Sequence, residues 1–413
     1  MLDIYFGVCA SNISNEYLLI NINELNTILC GITFMRIFAN SNGINILSKL
    51  KNINFTTKTR WIYDKQSVRN QILNWKKCLP WIKPYYAMKS NPSIHLIQDL
   101  ISHPYNIGLD AASLTELDLA YKYVNHQNTI YTNPHTINHE LDQLQSKNLN
   151  IKVVDSMCEI TKMINMVDMP RILIRINSGN ILSNTNFDIK FGATSEETNE
   201  IIEYAKNNGI VINGISFHIG SGGVYDRKVA YMNAFQNALP HLVYIKKYMN
   251  VETPIINFGG GLVYNSDLEN ALGWTRELPY TMIAEPGRYF SEPSHHLLTQ
   301  VIAVTSRGVY LDNGVYHELN CYQRDHWTFP IITHYVENNN IHDVKIHKWV
   351  NIFGPTCDSG DKIDDCLFPT NVQVGDWIIL PNMGAYTNAG MIEFNGIQGA
   401  SSFGAQFDND IEQ

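Results

Sequence analysis

The chain has 413 residues and a formal net charge of −9, enough for two or three domains at roughly 100–200 residues each. Hydrophobic residues make up 45% and charged residues 17%, which provides a core and excludes a disordered chain. Without a Lys/Arg run nucleic acid is excluded as a partner, and no apolar stretch nears the ~20 residues of a membrane span.

The start, MLDIYFGVCASNIS, lacks a basic region and carries Asp3 in its short apolar run, so no signal peptide is expected. Seven cysteines (9, 30, 78, 158, 321, 357 and 366) show no CxxC spacing. They read as free thiols in a reducing, cytoplasmic setting, with no zinc site and no other metal. Asn is abundant and covers surface without adding charge. No internal repeat or low-complexity tract interrupts the chain.

From about residue 60 to 290, short apolar runs alternate with helical patterns. The runs are PYYAM (84–88), NIGLD (106–110), IKVVD (151–155), RILIRI (171–176), GISFHIG (214–220), PIINFGG (254–260) and YTMIAEP (280–286). Between them lie SLTELDLAYKYV (113–124) and SEETNEIIEYAKNNG (195–209), the second opening on a Ser-x-x-Glu/Thr cap signature and closing on Gly209. The runs lack period-2 alternation, as strands buried on both faces do. Eight such units close a (β/α)8 barrel, predicted here over residues 60–293. The flanks carry β-like runs (LLTQVIAVTSRGVYL, KWVNIFG, WIILPNMG) between turn residues. They predict a second β domain built from both chain ends, 1–59 and 294–413, giving an α/β plus β protein.

The chemically loaded residues of the barrel fall at strand ends, where barrel active sites gather: Lys89, Asp110, His218, Gly259 to Gly261 and Glu285. A Lys after a buried strand is commonly a snorkelling surface residue; in a partly dry pocket it becomes a Schiff-base nucleophile. FHIGSGG (217–223) and INFGGGL (256–262) are glycine-rich strand-to-helix turns able to cradle a phosphate. Glycine serves any tight turn, however, and neither segment is a P-loop or G-x-G-x-x-G. AEPGRYF (284–290) adds Glu285, suited to a protonated ring nitrogen, and Arg288, suited to a dianionic phosphate. GPTCDSGD (354–361) and NMGAYT (382–387) bring Cys357 and Tyr386, which could equally be a buried thiol and a packing ring.

Nine motifs occur in one order: PYYAMKSNP, GLDAAS, FHIGSGG, INFGGG, AEPGRYF, GVYHELNC…RDH, GPTCDSGD, GAYT and EFNGIQ. Together, over residues 60 to 398, they resemble the fold-type III pyridoxal-phosphate-dependent amino-acid decarboxylases, most closely the eukaryotic-type ornithine decarboxylases. That resemblance implies a head-to-tail homodimer with two active sites shared between subunits. It implies that Lys89 holds pyridoxal 5'-phosphate, that His218 stacks on its ring and that Glu285 pairs with the pyridine nitrogen. Ser221, Gly260, Gly261, Gly287, Arg288 and Tyr386 would surround the phosphate, with Asp110, Glu116 and Arg175 as the inner polar shell. Cys357 of the second subunit would protonate the substrate carbon. Asp358 and Asp325 would hold its distal amine, and Phe394 and Tyr316 would line the pocket. Lys190 and Asp361 would pair across the subunits.

The implied reaction is decarboxylation of a cationic L-amino acid, ornithine to putrescine first, with arginine, lysine and diaminopimelate as alternatives. Asp rather than Glu at 325 favours ornithine, and the carboxylate Glu285 favours decarboxylation over the racemisation of the alanine racemase type. Two departures stand out. Arg324 occupies a place where an aromatic is expected, and inward it would neutralise Asp325, whereas outward it is a surface residue. Asn257 in INFGGG stands where an acid is expected. A reading of another class is an inactive, antizyme-inhibitor-like binding protein with a regulatory protein partner; retention of Lys89, His218, Glu285, Arg288, Cys357 and Tyr386 weighs against it. The end at FDNDIEQ implies no long tail of the animal type.

Overall fold

The computed structural model describes residues 36–49, 59–102, 104–179, 183, 186–221, 226–337 and 340–400. The opening MLDIYFGVCASNIS, Cys9, Cys30, Gly222, Gly223 and the terminal FDNDIEQ lie outside the described residues. The described residues form two compact units: a barrel unit of Asp64–Ser294 with Gly384–Ala389, and a sheet unit of the other described residues. Among the described residues no helix is long and apolar enough to cross a membrane.

Two short strands come first, β1 (Ile37–Ala39) and β2 (Arg60–Tyr63), and both belong to the sheet unit. The barrel follows as β3 (Ile82–Ala87), β4 (Gly108–Ala111), β5 (Thr129–Tyr131), β6 (Ile151–Val154), β7 (Arg171–Arg175), β8 (Ile212–Ser216), β9 (Ile255–Asn257) and β10 (Thr281–Ala284). All pair in parallel, and β10 closes on β3 with Met282 opposite Ile82. Tyr85, Ile130, Ile151, Val153, Leu173, Ile255 and Ile283 form one buried cluster contributed by successive strands. This explains the missing alternation: both faces are covered, so neither face needs polar residues. Strand β5 escapes sequence analysis because three residues, TIY, are too few to make a recognisable run.

The helix at Ser195–Asn207 starts one residue earlier than its cap signature suggests. Thr194 is the cap: its hydroxyl accepts the Glu197 N–H at 3.2 Å, and the Glu197 carboxylate accepts the Thr194 N–H at 2.8 Å. That reciprocal pair satisfies two helix-end donors at once.

The sheet unit continues with β11 (His295–Thr305), β12 (Gly308–Leu311), β13 (His334–Glu337), β14 (Asn340–Asp343), β15 (His347–Phe353), β16 (Lys362–Pro369) and β17 (Trp377–Leu380). Their order is β14-β13-β1-β17-β11-β12-β15-β16, with β2 pairing on β11. Here alternation does operate. Ile37, Ala39, Trp377 and Ile379 pack on one face, and Phe38, Ile378 and Leu380 on the other.

Two boundaries move from the sequence expectation. Residues 60–63 leave the barrel because β2 pairs antiparallel with β11, His295 opposite Tyr63. Residues 384–389 join the barrel unit: a Cβ on Gly384 would lie 1.8 Å from the Ser291 carbonyl oxygen. The Asn91 amide also donates to the Gly384 carbonyl at 2.8 Å. Asn has a second use beyond covering surface. Asn106, Asn148, Asn250, Asn382 and Asn395 all adopt positive φ, a conformation Asn tolerates better than other non-glycine residues.

Candidate active site

At the C-terminal mouth of the barrel, Lys89 sits in a single helical turn, Met88–Ser90, directly after β3. One pocket is lined by Lys89, His218, Ser221, Gly260, Gly261, Glu285, Gly287, Arg288 and Tyr386, together with Ala87, Leu262 and Val263. Thus nine of the expected site residues meet in one place. Burial pulls the Lys89 ammonium down, but the charges of Asp110, Tyr386 and Glu285 outweigh that and the net displacement is upward, against opposition from Arg175.

Asp110, in β4, is 2% exposed. Burial first, and then the neighbouring Glu285, push its carboxyl well above the ordinary range; Thr132 opposes this, donating its hydroxyl to Oδ1 at 2.6 Å. Glu116 joins this shell through its charge, which also raises Asp110. Its Oε2 accepts the Ala112 N–H at 2.7 Å, while the Ser113 hydroxyl caps the helix by accepting the Glu116 N–H at 3.2 Å. Arg175 ends β7 with its guanidinium 4.9 Å from the Phe191 ring centre.

His218 follows β8. Its Nδ1 accepts the Gly220 N–H at 3.0 Å, which leaves the hydrogen on Nε2. Phe187 meets the imidazole edge-on with centroids 4.7 Å apart. Burial, then Arg175 and Lys89, hold its pKa well below the ordinary histidine value. The ring is neutral.

The glycine turn after β9 has a packing reason. A Cβ on Gly260 would lie 2.6 Å from His218 Nε2, and a Cβ on Gly259, at φ +60°, would lie 2.2 Å from the Phe217 carbonyl oxygen. Only glycine permits that approach. The long helix Arg227–Tyr248 steadies the turn: Tyr231 donates its hydroxyl to the Gly260 carbonyl at 2.8 Å and Arg227 donates Nε to the Gly261 carbonyl at 2.9 Å. Beside it, Arg288 Nη2 donates to the Ser221 hydroxyl at 3.3 Å and lies over the Tyr386 ring at 5.0 Å. Tyr386 has φ +55° and donates its N–H to the Ser90 carbonyl at 2.8 Å. A bulky residue in that conformation is held there by its surroundings.

Sequence analysis missed three supports: Tyr231 and Arg227, which carry no motif signal, and Ser90, which sits in PYYAMKSNP without a role of its own. Asn257 was noticed only as a departure. It is fully buried, accepts the Gly259 N–H at 3.0 Å and donates to Glu285 Oε1 at 2.5 Å.

The sheet unit holds a second group of expected residues. Tyr316 donates its hydroxyl to Asp358 Oδ2, and its ring stacks on Phe394 with centroids 4.4 Å apart. The Cys357 N–H donates to Asn395 Oδ1 at 3.0 Å. Asp325 lies outside this cluster, at the end of the short helix Cys321–Arg324, where its N–H reaches the Cys321 carbonyl at 2.9 Å. Asp361 is 1% exposed and accepts from the Val315 N–H (2.9 Å), the Thr356 N–H (3.1 Å) and the Thr356 hydroxyl (2.7 Å).

The barrel pocket suits pyridoxal phosphate. One end offers a hydroxyl, a guanidinium and glycine backbone for a phosphate, and the other offers an amine for an aldehyde and a carboxylate for a ring nitrogen. The spaces beside Gly260 and Gly287 are ones that a Cβ would narrow.

The pattern of the pyridoxal-dependent decarboxylase pyridoxal binding domain matches residues 65–292, and that of the family's C-terminal sheet domain matches 224–384. Ornithine decarboxylase of Schizosaccharomyces pombe is 31% identical, over 82% of this chain and 81% of its own. Antizyme inhibitor 2 of Xenopus laevis is 29% identical, over 82% and 79%. Among solved structures, the arginine decarboxylase of Paramecium bursaria Chlorella virus superposes with a TM-score of 0.74 at 25% identity, over 83% of this chain and 94% of its own. With a family pattern spanning more than half its length and a pocket built for the coenzyme, this chain belongs to the pyridoxal-dependent decarboxylases.

Proposed function

We propose that the chain converts L-ornithine to putrescine and CO2, as a cytoplasmic homodimer whose active sites are shared between subunits. The observation that carries the substrate class is Asp358. The Tyr316 hydroxyl, then the Gly360 N–H, hold its carboxyl below the ordinary range, so it is an anion. An accessible carboxylate beside the stacked rings of Tyr316 and Phe394 suits a compact ammonium on a short aliphatic stem. Arg324 is anchored elsewhere, with Nη1 donating to the Gly390 carbonyl at 2.9 Å on the exposed surface. This supports the outward reading of Arg324 as a surface residue. Among the described residues Cys78, Cys158, Cys321, Cys357 and Cys366 form no disulfide, which fits a cytoplasmic setting.

Pyridoxal phosphate, when bound, supplies the electron sink for the pair left on the α-carbon as CO2 departs. Lys89 Nζ is the anchoring amine. Arg288, Ser221, Tyr386 and the backbone of Gly260, Gly261 and Gly287 take the phosphate. Glu285 keeps a proton on the pyridine nitrogen, and neutral His218 offers a flat wall without adding positive charge. Asp110, Glu116 and Arg175 set the charge around Lys89. Cys357 Sγ, from the second subunit, returns a proton to the carbon that lost CO2, and Asp358 with Asp325 fixes the distal ammonium. Lys190 and Asp361 are the proposed intersubunit pair.

The test is CO2 release from ornithine, arginine, lysine and diaminopimelate, compared by kcat/KM. Ornithine should lead; a lead of about tenfold or more by another amino acid would reassign the substrate. The likeness to an antizyme inhibitor supports a second reading, a binding protein that engages a regulatory protein without catalysis. No turnover of any of the four, together with no coenzyme absorbance in the purified protein, would favour it.

A further inference from the structure

The barrel has a second cavity at the end opposite Lys89, where the strands begin. It measures about 530 Å3, within the range of small-molecule sites. Lys83 from β3 and Arg171, the first residue of β7, reach it, and so do Asn106, Asn128 and Asn150, which precede β4, β5 and β6. None of the described residues lining it is Asp or Glu.

Both cations are aimed by neutral oxygens. The Lys83 ammonium donates to Asn128 Oδ1 at 2.6 Å and lies 4.9 Å from the Tyr85 ring centre; Arg171 Nη2 donates to Asn150 Oδ1 at 2.7 Å. Burial, and then the like charge of Arg171, push the Lys83 pKa down. Two converging cations with only amide carbonyls for company leave a positive field, in a chain whose net charge is −9. With its oxygen engaged by Lys83, Asn128 keeps its NH2 as a donor.

We propose that this cavity binds a small phosphate-bearing anion between the Lys83 ammonium and the Arg171 guanidinium, with the Asn106 and Asn128 amides as neutral donors. Charge-assisted hydrogen bonds of this kind are the strong ones, and a guanidinium suits a tetrahedral dianion. The site is separate from the coenzyme pocket, since the two have no lining residue in common.

The test is calorimetric titration of coenzyme-loaded protein, so that the first phosphate site is filled, at fixed ionic strength without divalent cations. Inorganic phosphate and ADP are titrated separately. Saturable binding of one per chain is expected, tighter for ADP if the natural source is a nucleotide and no tighter if it is free phosphate. Lys83→Met and Arg171→Gln should each weaken binding by about tenfold or more. Asn128→Asp places a carboxylate against Lys83; it should abolish binding while holding or raising Tm, which separates lost binding from lost folding. No saturable heat with either probe at millimolar concentration, or undiminished affinity in Asn128→Asp, overturns the proposal.

Discussion

Asn257 is wedged between Gly259 and Glu285, accepting the N–H of one at 3.0 Å and donating to the carboxylate of the other at 2.5 Å. The backbone N–H can only donate, so it fixes the carboxamide oxygen on its own side and turns the NH2 toward Glu285. One side chain therefore joins the glycine turn of the proposed phosphate cradle to the carboxylate proposed for the ring nitrogen. Asn257→Leu should remove both bonds and cost about 1–3 kcal/mol of stability for the groups left unpaired, with a fall in kcat. Asn257→Asp should behave differently. Two carboxyl groups so close must share a proton, so the variant should lose kcat as pH rises while the wild type does not. Superimposable pH profiles of kcat would show that the amide is not what positions Glu285.

The barrel was legible because parallel strands buried on both faces leave continuous apolar runs, and because its chemistry sits where those runs end. Lys89, His218, Glu285 and Arg288 meet in one pocket since each closes or follows a strand. What stayed hidden has local causes. Strand β5 carries too short a signal, and Tyr231 and Arg227 support the glycine turn from a helix with little amphipathic pattern and Pro240 inside it, so its sequence gives no clear sign of which residues face the turn. The burial of Asp361 depends on the loop that brings Val315 and Thr356 to it, which no spacing rule encodes.

Glu285→Gln keeps an oxygen for the Asn257 amide but removes the charge. The proposed phosphate end of the pocket, Arg288 and Ser221 with the glycine turn, is untouched by this change. Coenzyme dissociation should therefore shift only a few-fold, while kcat falls by about a hundredfold to a thousandfold. The check is kcat alongside coenzyme Kd; parallel losses in both would mean that Glu285 contributes to binding and not to the electron sink.

Cys357 is exposed within the sheet unit, with its backbone fixed by Asn395. A thiol that returns the proton to the substrate carbon also decides where that proton goes. In Cys357→Ala the proton should go in part to the coenzyme instead, giving an aldehyde and the aminated coenzyme through abortive transamination. Product analysis by mass spectrometry reads this directly. Amine product as pure as that of the wild type would take the proton-donor role away from Cys357.

His218 ties stability to pH. Burial, Arg175 and Lys89 depress its folded pKa, so as pH falls below the unfolded value of about 6.5 the unfolded chain takes up the proton first. The stability at stake is complete above that value and declines beneath it, at about 1.4 kcal/mol per pH unit for one proton, until the folded pKa is reached. His218→Phe keeps a flat ring beside Phe187 and cannot titrate. Between about pH 7 and pH 5 the coenzyme-free wild type should lose up to about 2 kcal/mol more than this variant in urea denaturation. Equal losses would mean that the imidazole accepts its proton within the fold as readily as outside it, and the neutral ring assigned to this site would have to be given up.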